Sequence, residues 1–214
     1  MGDLFWIREG RSTKRSKRNA AVLLACGLAC LFAPAVEAAE PSLRVVVAIR
    51  NYAGVPRETQ DIAEAQASKI FEKAGVTIEW RELPRSQSAN VDLPVVAEPI
   101  VNLLPDSMIP PLRPSPDAFG KALGLQAYVF AGRIRQATEA ALISFPKTLG
   151  HIMAHELGHV LLDEKSHAFG SIMSPSLGVE EFRQMNMGTL LFTPAQAKWL
   201  RDRVLRAPAR TGAR

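Results

Sequence analysis

All four histidines of this 214-residue chain, His151, His155, His159 and His167, fall within seventeen positions, and their spacing constrains the fold. Residues four apart on a helix lie one above the other, so His155 and His159 can aim at one point only from a helix. Ile152, Met153, Leu157, Val160 and Leu161 supply the apolar face that would bury such a helix and hold both imidazoles rigid. The pattern predicts a helix over residues 147–162, followed by a loop rich in Ser, His and Gly.

Upstream, residues 43–52 read as a buried β-branched strand, residues 58–74 as a helix stopped by Gly75, and residues 76–82 as an alternating strand. Together they form a βαβ unit, for which a right-handed crossover is expected. Eight of the fifteen prolines lie between Pro84 and Pro116, which makes that stretch mostly extended loop around a short strand at residues 100–104. A strand at residues 126–130 and a short helix at residues 132–141 precede the histidine segment. Beyond it, Thr193, Pro194 and Gln196 have the form of a capping box, opening a last helix with Ala197, Leu200 and Val204 on one face. The fold class expected is α+β: a small mixed, twisted sheet with a backing helix, a histidine-bearing helix and a C-terminal helix.

Charge is unevenly placed. Residues 1–38 hold six basic and three acidic side chains, which leaves 20 basic and 18 acidic for the remainder. A basic stretch, an apolar run over residues 20–33, then Val36-Glu37-Ala38, has the three-part form of a secretory signal with cleavage after Ala38. A single domain over residues 39–205 and a basic tail over residues 206–214 would follow, secreted or periplasmic, with no membrane association after cleavage. Near-neutral charge in the mature part argues against a nucleic-acid partner. Both cysteines, Cys26 and Cys30, lie within the signal, so the mature chain has no disulfide, cysteine nucleophile or cysteine metal ligand.

The segment His155-Glu156-Leu157-Gly158-His159 matches the H-E-x-x-H pattern of zinc hydrolases. Glu156 lies about 100° around the helix from His155 and about 60° from His159, so it flanks an ion held by both rings and can take a proton from water there. Catalytic zinc needs three protein ligands and an open position. His167 is the expected third ligand; Asp163 and Glu164 are the nearby oxygen alternatives, and Glu180 and Glu181 the distant ones. His151, one turn earlier on the same face, is expected outside the coordination sphere, either as a structural residue or as a support or rim of the site, since a fourth imidazole would close the water position.

A helix with H-E-x-x-H, a third histidine in the next loop, and Ile172-Met173-Ser174-Pro175 resembles the metzincin group of zinc metalloproteases over about residues 151–175. The chain is also similar to short secreted bacterial proteins with His-Glu-Leu-Gly-His, a delayed third histidine and a Gly-x-Ile-Met turn. The resemblance implies a zincin-like fold, Zn2+ on His155, His159 and His167, Glu156 as general base, and Met173 as an apolar floor beneath the ligands. The spacing departs from the usual metzincin form. Leu162 stands at the usual glycine position, Lys165 at the usual histidine position, and His167 comes two residues late.

The activity implied is hydrolysis of peptide bonds in a peptide or protein substrate by a zinc-activated water. An edge strand would pair with extended substrate, with residues 126–130 as the candidate and Tyr128 as a candidate to hold the oxyanion. Two alternatives use the same residues: a non-catalytic binding module on a zincin scaffold, and a zinc amidase acting on a non-protein amide. Neither the substrate nor the oligomeric state is legible in the sequence.

Overall fold

The structure is a computed structural model that describes residues 43–84, 98–162 and 166–206. The signal segment, the tail beyond Arg206, and the candidate ligands Asp163 and Glu164 lie outside these residues. Strand β1 (Leu43–Asn51), helix α1 (Arg57–Lys73) and strand β2 (Val76–Glu82) form the expected unit, with β1 and β2 paired in parallel from Leu43↔Val76 onward. Helix α1 ends as expected: Ala74 caps it, and Gly75 takes φ 83°, a left-handed conformation that favours glycine.

Strand β3 (Ile100–Leu104) pairs in parallel with β1 and with β5 (Gln126–Phe130). A strand not anticipated from sequence, β4 (Gly120–Leu123), pairs antiparallel with β5 and closes the sheet, whose order is β2-β1-β3-β5-β4. β5 is therefore interior, and the edge role expected of it passes to β4. Gly120-Lys121-Ala122-Leu123 has little β propensity, and its ladder to β5 is a tertiary feature rather than a local one.

Helix α2 (Ala131–Ala141) follows β5 directly, and α3 (Phe145–Leu162) carries the histidines. Helix α3 begins two residues before the predicted start because Pro146 is tolerated in a first turn, where its missing N–H has no intrahelical partner anyway. It packs on α1, β4 and β5 together. Its approach to α1 is close: a Cβ on Gly150 would lie 2.5 Å from the Ala63 carbonyl oxygen. Leu149, Ile152, Met153 and Leu157 are fully buried along it, each contributing about 1.5–3 kcal/mol relative to exposure. A second unanticipated element, α4 (Val179–Met187), precedes the final helix α5 (Pro194–Arg206). The predicted capping box opens α5: Gln196 N–H donates to Thr193 Oγ1 at 3.2 Å, and Thr193 N–H to Gln196 Oε1 at 2.8 Å. The fold is α+β with a mixed five-stranded sheet, as expected.

Candidate active site

Helix α3 brings His155 and His159 to one face, and the following loop returns His167 to the same point. The Nε2 atoms of His155 and His159 are 3.1 Å apart, and those of His159 and His167 are 3.0 Å apart. Two nitrogens bound at about 2.0–2.1 Å to one tetrahedral ion stand about 3.3 Å apart, so the spacing suits a single small cation. Among the described residues, these three histidines form the one cluster of metal-ligating side chains.

The ring of His155 is oriented from behind. Its Nδ1–H donates to the Ile172 carbonyl at 2.7 Å, which leaves the Nε2 lone pair directed at the cluster. Its pKa is pushed down to about 4 by burial and by the neighbouring His159 and His167, with the Ile172 bond opposing. The ring therefore stays neutral, the form a metal requires.

The turn that holds Ile172 is itself anchored. Ser171 Oγ donates to the Ala168 carbonyl and accepts from Met173 N–H, and Ile172 N–H donates to the Leu191 carbonyl at 2.9 Å. Met173 is fully buried against α3, and a Cβ on Gly158 would lie 2.5 Å from its Sδ. The glycine inside the histidine motif thus makes room for the methionine beneath the helix. Gln196 completes the support: buried at the start of α5, it donates Nε2–H to the Ser166 carbonyl at 2.8 Å, beside His167. Sequence reasoning read Gln196 only as a helix cap. Nothing local signals that the same side chain also ties down the ligand loop.

Glu156 is 6% exposed on the flank of α3, under strand β4, and burial pushes its pKa up to about 8. It lines a cavity of about 1000 Å³ with His155, His159, His167, Gly120 and Leu177. The two distant carboxylate alternatives serve other purposes. Glu181 accepts from Gly178 N–H at 2.9 Å in the cap of α4, and Glu180 pairs with Arg183. Tyr128 packs beside Leu104, Ile109 and Phe130 and is not among the residues that line the cavity.

His151 takes the structural alternative. It is fully buried, its Nδ1–H donates to the Lys147 carbonyl at 2.8 Å, and its Nε2 has no hydrogen-bond partner. It is bonded to none of the three clustered histidines and acts as a core residue. Burial lowers its pKa, so the folded state resists a proton that the unfolded chain accepts below about 6.5. Stability attributable to His151 is thus lost as pH falls below that value. His151→Leu, measured in chelator, is expected to keep Tm at pH 8 and to lose less Tm than wild type between pH 7 and pH 5. An equal loss in both proteins would show that His151 does not titrate with unfolding.

No family model and no curated protein matches this chain. Among solved structures, it is similar to archaemetzincin from Methanopyrus kandleri, with a TM-score of 0.48 and 13% identity over 78% of this chain and 99% of that one.

Proposed function

We propose that the chain is a zinc metallopeptidase of metzincin-like design, secreted or periplasmic after removal of residues 1–38, with its catalytic domain over residues 39–205. The observation that carries this reading is the convergence of three imidazole Nε2 atoms beside a buried carboxylate in a cleft open to substrate. His155, His159 and His167 would hold the ion, and a donor set of three imidazoles suits Zn2+. The chemistry a zinc ion would supply there is activation of water and polarisation of the scissile carbonyl.

The protein's own groups supply the rest. Glu156 accepts the proton released as water attacks and passes it to the leaving amine. Its buried setting raises its affinity for that proton. Strand β4, at the sheet edge and beside the cavity, offers backbone groups with which an extended peptide can pair. A peptide or protein is therefore the proposed partner, with no nucleic-acid and no membrane partner. No helix among the described residues is long and apolar enough to cross a membrane.

The test is metal content together with cleavage of a peptide library. One zinc per chain is expected, with cleavage abolished by chelation and restored by added zinc. Stoichiometric zinc without cleavage of any peptide would point instead to a binding module or an amidase, and absence of bound zinc would remove the reading altogether.

A further inference from the structure

In the cleft, Gly120 approaches Glu156 more closely than a side chain allows. A Cβ placed on Gly120 would lie 2.5 Å from Cγ and Oε1 of Glu156 and 2.6 Å from its Cδ. Backbone conformation does not require glycine here. Gly120 is absent from the residues of positive φ, whereas Gly124, at the tip of the same hairpin, has φ 57°. What requires glycine is the space taken by the Glu156 carboxylate.

Neither backbone is free to retreat. Gly120 is registered opposite Val129, Phe130 N–H donates to the Phe119 carbonyl at 2.8 Å, and the Phe119 ring packs edge-on against Phe182 at 5.9 Å. On the other side, α3 is held by its buried face and by the bond from His155 to Ile172. The Glu156 side chain is the part that can yield.

We infer that Gly120 is a positioning residue for Glu156: the bare backbone of β4 forms the wall that holds the carboxylate beside the three histidines. This inference rests on the reading of Glu156 as the base. A methyl group at residue 120 forces the carboxylate into another rotamer and leaves the ligand histidines untouched. Displacement of a catalytic group by about 1 Å can cost about 100-fold in rate.

The test combines kinetics with a stability cycle on full-length zinc-loaded protein. Gly120→Ala is expected to keep one zinc per chain, lower kcat by about 100-fold and leave KM within about threefold. Its Tm should fall by about 4 °C or more in the wild-type background. In a Glu156→Ala background, where the obstructing side chain is gone, the same change should leave Tm unchanged or slightly raised, because alanine is less flexible than glycine in the unfolded chain. Equal Tm losses in the two backgrounds, or an unchanged kcat in Gly120→Ala, would overturn the inference. If zinc-loaded wild type cleaves no peptide, the peptidase reading fails by itself, and the Tm cycle alone then decides whether Gly120 holds the carboxylate.

Discussion

Glu156→Gln is expected to lower kcat by about 1,000-fold while the protein keeps one zinc per chain and a KM within about threefold of wild type. Glutamine has nearly the same shape as glutamate, so it fits in the space that the bare backbone of Gly120 leaves for Glu156. What it lacks is a basic oxygen. The three imidazoles of the proposed ion site are untouched, and water can still occupy the cleft, but the proposed base is gone. General acid–base catalysis is worth about 100- to 10,000-fold, and Glu156 would have to act twice in one turnover, which favours the upper part of that range. Kinetics on a cleaved peptide, with zinc measured on the same sample, decide the matter. Activity within tenfold of wild type would show that Glu156 is not the base.

His167→Ala is expected to weaken zinc binding by more than about 100-fold, measured by competition with a chromophoric chelator. Loss of a residue that merely orients a ligand already costs about 10- to 100-fold, and His167 is proposed to donate a nitrogen itself. Its Nε2 lies 3.0 Å from that of His159, so deletion leaves a two-nitrogen site open to solvent. Glu164→Ala should leave affinity within about threefold, because the convergence already supplies the three ligands that a catalytic site needs. A reversed pair of results would transfer the third position from the histidine to the loop carboxylate.

The histidine helix was legible because its evidence is local. An i, i+4 pair on an apolar helix places two rings together whatever surrounds them, and α3 differs from its predicted span by only two residues at the start. The same holds for the first βαβ unit and for the Thr193–Gln196 cap, whose hydrogen bonds close within four residues. Strand β4 and helix α4 were not legible. β4 exists because β5 offers it a ladder, and α4 is a nine-residue helix whose only fully buried side chain is Met185, so neither carries a strong periodic signal of its own. With β4 unseen, β5 was assigned the edge and Tyr128 the cleft. Both assignments fail for one reason: strand order is a property of the whole sheet.

His151 shows the converse case. Its position on the ligand face suggested support for the metal site, but a helix face is wide enough to point one turn at the cleft and the preceding turn into the core. The outcome is a buried ring with Nε2 unpartnered, which no spacing rule distinguishes from a supporting ligand.

By itself, the amino-acid order determined the helix and the two histidines and the glutamate on it, since these follow from near-neighbour geometry. Only the tertiary structure decided that His167 reaches the cluster, that Gln196 secures its loop, and that Gly120 lies over Glu156. These depend on where separate elements meet, and such meetings are set by the packing of the whole core around α3.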